Sequence, residues 1–288
     1  MTKSCVVTGV STGVGAAVAR TLVKQGFHVF GSVRRPADAE AFKAEFGDSA
    51  TPLLFDVADQ AAVRAGAAEV ARALGPQRRL AGLVNNAGIA SPAPLLHVPL
   101  DELRRHMEIN VVAQVGVTQA FAPLLGADRS RPGSPGRIVN IVSTSGRLTT
   151  PFVGAYCASK HAMEAISDAL RRELLIYGID VVAIEPGAVV TPIWDKAEAG
   201  DYSAYDATDY KASFKALRDL MIAEGRKGVA PERIADAVHR ALTDKRPAAR
   251  VAVVPQRIKN WTVPRLLPDR ALDKFVAALI GLKRLQAP

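Results

Sequence analysis

The chain has 288 residues, of which 49% are hydrophobic and 6% aromatic, so it can form one large α/β domain or two small ones. No apolar stretch reaches the roughly 18 residues of a membrane-spanning helix. The first apolar run follows Met1 so closely that no signal peptide is expected. Two cysteines, Cys5 and Cys157, make neither a disulfide framework nor a metal cluster. We therefore expect a cytoplasmic protein without a metal site.

The net charge of +9 lies entirely in the C-terminal part of the chain. From Arg226 onward there are 14 Lys/Arg and 5 Asp/Glu, and the remainder is neutral. A basic surface suits an acidic lipid, a nucleic acid or an anionic ligand. A solvated basic face on an enzyme explains the charge more simply. We expect a small-molecule substrate as the partner, and no nucleic acid.

Apolar runs alternate with helical patterns from the first residues onward. The predicted strands cover residues 6–7, 28–33, 53–57, 80–85, 137–142, 180–184 and 249–254. The first predicted helix ends near Gln25, and the others cover residues 37–46, 60–74, 101–125, 156–177 and 231–242. Such alternation indicates a parallel sheet with helices on both faces. We predict a single Rossmann-type, doubly wound α/β domain over residues 1–255, with a substrate loop at about 192–228.

A glycine-rich loop, Thr8-Gly-Val-Ser-Thr-Gly-Val-Gly15, connects the first predicted strand to the first helix. Glycines permit a tight turn, and a helix N-terminus offers unpaired N–H groups to a pyrophosphate. An ordinary strand-to-helix turn has the same composition. The position directly after an N-terminal strand favours dinucleotide binding instead. The cofactor contacts expected in this loop are Gly9, Ser11, Gly13, Val14 and Gly15.

The second predicted strand ends in Val33-Arg34-Arg35, where dinucleotide folds that prefer NAD carry a carboxylate. A guanidinium binds a 2′-phosphate in a bidentate manner, so Arg34 favours NADP(H) over NAD(H). The alternative is that both arginines are simply exposed in a loop. Asp56 and Val57, at the end of the third predicted strand, are placed to meet the adenine.

Tyr156 and Lys160 are four residues apart, and Ser143 precedes the tyrosine by thirteen. Positions i and i+4 share a helix face, so the ammonium is expected beside the phenol. A neighbouring cation favours the phenolate and lowers the phenol pKa. A tyrosine that exchanges protons near neutral pH suits the reversible interconversion of an alcohol and a ketone.

Taken together, these motifs resemble the short-chain dehydrogenase/reductase family over residues 1 to about 255. They are the glycine loop, Asn85-Asn86-Ala87-Gly88, Asn110, Ser143, Tyr156 with Lys160, and Pro186-Gly187 followed by Thr191. Their order and spacing are those of the family. The local sequence around Ser143, Tyr156 and Pro186 is most similar to that of the family branch that holds retinol and 17β-hydroxysteroid dehydrogenases.

The resemblance implies a role for each matched residue. Ser143 would hydrogen-bond the substrate oxygen, Tyr156 would exchange a proton with it, and Lys160 would lower the Tyr156 pKa and hold the nicotinamide ribose. Asn110 would order a water next to Lys160; its alternative is a satisfied core amide. The motif Asn85-Asn86-Ala87-Gly88, with Asn85 as a cofactor contact, would close the fourth strand against the cofactor, or only stabilise a turn. Thr191, with Val189 before it, would meet the nicotinamide carboxamide.

Some residues depart from the family pattern or have no place in it. Thr12 stands where many NADP-binding relatives have a basic residue, so NAD(H) stays an alternative cofactor. Cys157 has no paired histidine and is not expected to be a nucleophile. The histidines His97, His106, His161 and His239 lack metal-ligand spacing and are expected at the surface.

The C-terminal extension, residues 256–288, contains an amphipathic pattern. Leu272, Phe275, Val276, Leu279 and Ile280 form one stripe, flanked by Arg270, Lys274, Lys283 and Arg284. Such a helix could make a peripheral contact with an anionic membrane. A cover over the substrate cleft or a subunit contact is favoured, because the stripe spans few turns.

These observations predict an oxidoreductase that transfers hydride between NADP(H) and a secondary alcohol or ketone. Aromatic residues in the predicted substrate loop, Trp194, Tyr202, Tyr205, Tyr210 and Phe214, favour a lipophilic substrate such as a steroid, retinoid or aryl ketone. One alternative is an NAD-dependent alcohol dehydrogenase of a small substrate, and another is a catalytically silent redox sensor or scaffold. The resemblance also implies a homo-oligomer.

Overall fold

The computed structural model describes residues 2–285. Within them, seven parallel strands form one sheet in the order β3-β2-β1-β4-β5-β6-β7. The strands are β1 Ser4–Val7, β2 His28–Val33, β3 Ala50–Leu54, β4 Gly82–Asn85, β5 Arg137–Ile141, β6 Asp180–Pro186 and β7 Arg250–Val253. The chain moves outward from β1 to one edge and then from β4 to the other. The predicted doubly wound α/β fold is confirmed.

The helices follow the strands in the predicted alternation. They are α1 Gly13–Lys24, α2 Pro36–Phe46, α3 Gln60–Leu74, α4 Leu100–Met107, α5 Ala113–Ala122, α6 Gly154–Glu173, α7 Ile193–Ala199, α8 Lys211–Arg226, α9 Pro231–Thr243, α10 Val263–Leu266 and α11 Asp269–Ile280. Helices α7 and α8 account for the irregular pattern predicted as the substrate loop. Helix α11 carries the amphipathic stripe of the C-terminal extension.

Helices α4 and α5 are parts of one continuous helix, Leu100–Ala127. A π-helical turn, Glu108–Val112, joins them, and a second, Pro123–Ala127, ends the helix. The 28-residue helix is long and apolar enough to cross a membrane, contrary to the sequence-based expectation. Its most apolar window is 56% buried within the fold, so these apolar residues belong to the core.

Two apolar layers cover the sheet. On one face, Val18 and Leu22 of α1 pack with Ile234 and Val238 of α9. On the other face, apolar side chains of α3, α5 and α6 pack against the opposite sides of the strands, with Phe121 fully buried. Burial on both faces explains why the strands are almost continuously apolar in sequence.

The main boundary differences concern the residues that follow strands. The third strand ends at Leu54 rather than 57, so Asp56 and Val57 lie in the loop after β3. Helix α6 begins at Gly154, which places Tyr156 in its first turn. Because all strands are parallel, the loops after β1, β2, β3, β4, β5 and β6 lie along one edge of the sheet.

The core between α1 and the sheet can be tested at Leu22, which is fully buried. We expect Leu22→Ala to lower the free energy of unfolding by about 2–5 kcal/mol, because it removes buried methyl groups and leaves a cavity. Leu175→Ala, at a position that is 67% exposed, is the matched control. Urea denaturation measures both. An equal decrease in the free energy of unfolding for Leu22→Ala and Leu175→Ala would contradict the described packing of Leu22.

Candidate active site

The loop after β1 is shaped by its glycines. Gly9 and Gly13 have φ values of +72° and +61°, which side-chain-bearing residues rarely adopt. A Cβ on Gly15 would lie 2.1 Å from the Gly9 carbonyl oxygen, so this helix position must be glycine. The loop therefore brings its backbone close to the start of α1, as a pyrophosphate site requires.

Polar side chains outside the loop hold it in place. The Gly9 N–H donates to the Ser32 hydroxyl at 3.0 Å. The Asn86 amide donates to the carbonyls of Thr8 at 2.8 Å and Gly9 at 3.1 Å. The Thr8 hydroxyl accepts from the N–H groups of Asn86 and Ala87. The sequence indicates Asn86 only as part of the motif Asn85-Asn86-Ala87-Gly88, and nothing in the sequence predicts the contact of Ser32.

The N-terminus of α1 is open to an anion. The Thr12 side chain makes no capping hydrogen bond to the residues described, and the first turn of α1 contains no acidic residue. The first N–H groups of the helix and its dipole therefore face the loop without a competing carboxylate. Ser11 is exposed at the rim and Val14 is half-buried in the first turn. These residues fit a dinucleotide pyrophosphate.

Arg34 and Asp56 lie together after β2 and β3. The Arg34 Nη1 is 3.8 Å from Asp56 Oδ2, and both side chains are exposed. Asp56 also accepts from the Ala58 N–H at 3.0 Å, and Val57 is buried. Arg35, by contrast, forms a two-armed ion pair with Asp38 at 2.9 and 2.7 Å. Arg34 is thus the freer of the two guanidinium groups to meet a phosphate.

Asn85 lies on β4, but its side chain does not face the cofactor loop. Its amide nitrogen donates to Thr118 at 3.0 Å and to Asn140 at 2.9 Å, both within the core. Only its backbone lies at the edge of the sheet. The cofactor contact of Asn85 stays a prediction, and it would involve the backbone, because the side chain is engaged in the core. Asn86, the next residue, faces the loop.

Ser143, Tyr156 and Lys160 come together beyond the end of β5. Ser143 begins the 3₁₀ turn Thr144–Gly146 and accepts from the Ser145 N–H at 3.0 Å. Tyr156 is half-buried, whereas Lys160 is only 6% exposed. The Lys160 ammonium lies 5.7 Å from the centre of the Tyr156 ring and donates to the Ile141 carbonyl at 3.0 Å. The structure thus brings these three predicted catalytic residues together, and the fourth, Asn110, lies near Lys160: a Cβ on Gly88 would be 3.1 Å from Asn110 Oδ1 and 3.8 Å from Lys160 Nζ.

The ionisation of this group differs from the sequence-based expectation. Burial raises the pKa of the Tyr156 phenol, and the neighbouring Ser143 hydroxyl opposes this rise. Burial lowers the pKa of Lys160 to about 8. The expected lowering of the Tyr156 pKa is therefore not found, because desolvation of the phenol is the largest effect. The phenol keeps its proton at neutral pH, as a proton donor must.

Asn110 lies in the π-helical turn Glu108–Val112 and is 1% exposed. Its amide nitrogen donates to the Ile89 carbonyl at 2.9 Å and to the Ser159 hydroxyl at 3.0 Å. Its oxygen accepts from the Ile89 N–H at 2.8 Å. Protein groups engage both ends of this side chain, which matches the alternative of a satisfied core amide. Asn110 ties the loop after β4 to helix α6, which carries Tyr156 and Lys160.

The loop after β6 reaches the glycine loop. A Cβ on Gly13 would lie 3.4 Å from the methyl carbon of Thr191, so these residues are neighbours. Val189 is buried, and its carbonyl accepts from the Trp194 indole at 2.7 Å. Thr191 is therefore placed between the start of α1 and the segment α7–α8, which the sequence predicts to be the substrate loop.

The cysteines and histidines take no direct part in this arrangement. Cys157 is buried, and burial raises the pKa of its thiol. His97 and His161 are exposed, as expected. His106, expected at the surface, is fully buried: its Nε2 accepts from the Ser91 N–H at 3.1 Å. Across residues 2–285, no group of three His, Cys, Asp or Glu side chains is placed to hold a metal.

Comparisons with known proteins show which family the chain is similar to. The short chain dehydrogenase family model matches residues 3–202. The chain is 42% identical over 273 residues to the NADPH-dependent 3-dehydrocapnine reductase of Ornithobacterium rhinotracheale, covering 95% of each. It is 37% identical over 190 residues to human retinol dehydrogenase 5, covering 65% of this chain and 57% of that protein. A crystal structure of a short-chain dehydrogenase from Streptomyces avermitilis matches with a TM-score of 0.76 at 26% identity, covering 99% of both chains.

The buried lysine predicts a pH dependence. Because the pKa of Lys160 is lowered to about 8, its positive charge is lost as the pH rises through that value. We expect kcat/KM for ketone reduction to fall above pH 8. Initial rates between pH 6 and pH 10 measure this fall. The arginine of Lys160→Arg stays charged at these pH values, so the activity that this variant retains should not fall above pH 8. A wild-type profile that is flat to pH 9.5 would contradict the assignment.

Proposed function

Since the chain belongs to the short-chain dehydrogenase family, we propose that it catalyses reversible hydride transfer between NADP(H) and a lipophilic secondary alcohol or ketone. The observation that carries the proposal is the position of Tyr156, Ser143 and Lys160 on the sheet edge that also holds the glycine loop. The nicotinamide of the cofactor, when bound, supplies or accepts the hydride. The chain's own residues bind and orient the reactants and move the proton.

Each of the three polar residues has a distinct task. The Ser143 hydroxyl hydrogen-bonds the substrate oxygen and stabilises the negative charge that develops there. Tyr156, whose phenol is protonated at neutral pH, gives its proton to that oxygen during reduction and takes it back during oxidation. The Lys160 ammonium, held by the Ile141 carbonyl, compensates the charge that the phenol leaves behind.

The residues at the edge of the sheet fit NADP(H). The open N-terminus of α1 and the loop of Gly9, Gly13 and Gly15 suit the pyrophosphate. Arg34 is exposed and only loosely paired, so its guanidinium is free to bind a 2′-phosphate. The relative from Ornithobacterium, named as NADPH-dependent, supports this preference. NAD(H) remains the second cofactor to test, because no basic residue stands at Thr12.

Apolar groups near Tyr156 support a lipophilic substrate. Phe152, four residues before the tyrosine, packs edge-on against Tyr210 and Phe214 at 5.5 and 5.6 Å between ring centres. Exposed apolar side chains lie in the loops that follow β4 and β6 and at the start of α7, at the same edge of the sheet: Leu95, Leu96, Val190 and Ile193. These exposed groups favour a substrate that covers them from water.

Helix α11 is proposed as a cover for the substrate side. Its Ile280, 2% exposed, packs in one cluster with Phe152, Phe214 and Leu217. This cluster connects the C-terminal extension, residues 256–288, to the segment that precedes Tyr156. The catalytic domain is assigned to residues 1–255, and the extension adds to its substrate wall.

The outer face of α11 is proposed to make a peripheral contact with an anionic membrane. Phe275 and Leu279 are 62% and 53% exposed, and Leu266 is 78% exposed. Arg265, Arg270 and Lys274 are exposed around them, so the surface combines apolar and positive groups.

The protein is further proposed to be cytoplasmic and to form a homo-oligomer. Light scattering on the purified protein tests the oligomeric state.

The proton donor is tested by Tyr156→Phe, which removes the hydroxyl alone. Turnover should fall below about a tenth of the wild-type value while NADPH still binds. Ser143→Ala should be nearly as damaging. Steady-state rates across steroid, retinoid and aryl ketones, with fluorescence titration of NADPH, provide the measurements. Retention of more than a tenth of the turnover by Tyr156→Phe would refute the mechanism.

The cofactor preference is tested by Arg34→Asp. The carboxylate repels a 2′-phosphate and accepts from ribose hydroxyls, so NADPH should bind more weakly while NADH is unaffected or improved. Arg35→Asp makes the same charge change one residue away and is the matched control. Dissociation constants for both cofactors decide the question. An equal effect of the two variants, or tighter binding of NADH by the wild type, would contradict the role of Arg34.

The two faces of α11 are tested by adjacent substitutions. Ile280→Asn should raise KM for bulky ketones and leave NADPH affinity unchanged, because it disturbs the cluster with Phe152 and Phe214. Leu279→Asn should leave KM unchanged and weaken sedimentation with phosphatidylserine vesicles, which should also weaken as salt is added. Unchanged KM in Ile280→Asn would contradict the cover. Salt-insensitive or absent vesicle binding by the wild type would contradict the membrane contact.

A further inference from the structure

Buried charges lie directly behind the loop that carries Ser143. Arg147 follows the turn Thr144–Gly146, which Ser143 begins. Glu164 lies one helical turn after Lys160 on α6, and Glu185 precedes Pro186 on β6. Glu164 and Glu185 are 5% and 3% exposed. Arg250, on β7, lies within 4 Å of both carboxylates.

The distances show unequal pairing of the two carboxylates. Glu164 Oε2 accepts from Arg250 Nε at 2.8 Å and from Arg147 Nη2 at 3.2 Å. Glu185 Oε1 lies 3.5 Å from Arg147 Nε and 3.8 Å from Arg250 Nε, too far for good hydrogen bonds. Arg250 is also engaged by Asp168 at 2.7 Å. Glu185 is therefore the weakly satisfied member of the group.

Three buried atoms of this group lack a hydrogen-bond partner among the residues described: Glu164 Oε1, Glu185 Oε1 and Arg147 Nε. Unsatisfied buried polar atoms are costly, and two adjacent buried carboxylates do not both ionise readily. Arg250 is shared between the two glutamates and Asp168, which also pairs with Arg171 and Arg172. One added proton on the glutamate pair relieves the repulsion between the two carboxylates and gives one carboxyl oxygen a hydrogen to donate to the other.

We propose that Glu164 and Glu185 share one proton, and that this pair, together with Arg147, holds the Ser143 loop against helix α6. Arg147, Glu164 and Glu185 are then positioning residues, because none of them is placed to touch substrate or cofactor. The contact of the loop with α6 is close: a Cβ on Gly146 would lie 2.9 Å from the Lys160 carbonyl oxygen and 3.0 Å from Glu164 Cγ. The assignment of Ser143 as a substrate contact comes from the proposed function, on which this inference rests.

The shared proton makes the group sensitive to pH. Burial, reinforced by the charge of Glu164, raises the pKa of Glu185 to about 7. The folded state therefore holds a proton that the unfolded chain loses near pH 4.5, and stability falls as the pH rises between those values. The charged groups facing the pair are Arg147 from the loop, Arg250 from β7 and Asp168 from α6, with Arg171 and Arg172 beside Asp168.

The first experiment does not depend on activity. Glu185→Gln keeps the shape and the neutral hydrogen-bond donor, and Glu173→Gln, at an exposed position at the end of helix α6, is the control for the change of charge. Melting temperatures are measured from pH 5 to pH 8.5. The Tm of Glu185→Gln should rise relative to the wild type by several degrees between pH 5 and about pH 7 and then level off up to pH 8.5. A Tm difference between Glu185→Gln and the wild type that stays constant with pH would overturn the shared proton. An equal rise in the Tm of Glu173→Gln relative to the wild type would do the same.

The second experiment measures positioning. Arg147→Met should lower kcat by about tenfold, because it releases the Ser143 loop, while KM and the NADPH dissociation constant change less than twofold. Arg147→Lys should restore part of kcat, and Arg129→Met, at an exposed arginine, is the matched control. Full kcat in Arg147→Met alongside an inactive Ser143→Ala would overturn only this inference. An active Ser143→Ala would instead overturn the proposed role of Ser143.

Discussion

Parallel strand pairing is the constraint on which the site depends. Val7, the last residue of β1, is in register with Gly31 of β2 and with Val84 of β4, so these strands end within two residues of one another. The glycine loop, Arg34 and Asn86 follow these strands directly. Ser143 follows β5, which pairs with β4, and Thr191 follows β6. An antiparallel strand at any of these places would send its loop to the opposite edge and divide the site.

A second constraint is the burial of polar groups close to the reacting atoms. Lys160 is almost wholly buried and has the Ile141 carbonyl as its hydrogen-bond partner. Asn110 fixes the loop after β4 to α6, and the Arg147 group fixes the loop after β5 to the same helix. Helix α6 is therefore held from two sides. Fixed donors in a site that excludes water stabilise developing charge more strongly than mobile ones.

The sequence predicted the alternation of strands and helices because each strand is a short apolar run and each helix has its own period. It also identified the glycine loop, Arg34, Ser143, Tyr156 and Lys160, which lie in short local motifs. It did not predict that the Asn85 side chain points into the core, that His106 is buried, or that burial controls the Tyr156 pKa. Each of these depends on packing between elements distant in sequence. The group of Arg147, Glu164, Glu185 and Arg250 spans more than 100 residues and leaves no local pattern.

The central claim is that this edge of the sheet holds a reduced dinucleotide and passes hydride to a carbonyl carbon. The most direct measurement uses NADPH with deuterium at the transferable position of C4, and mass spectrometry of the alcohols formed from steroid, retinoid and aryl ketones. Hydride transfer from the bound NADPH to the carbonyl carbon predicts an alcohol with one deuterium on the carbinol carbon. Alcohol without deuterium, or no alcohol from any ketone although NADPH binds, would contradict it.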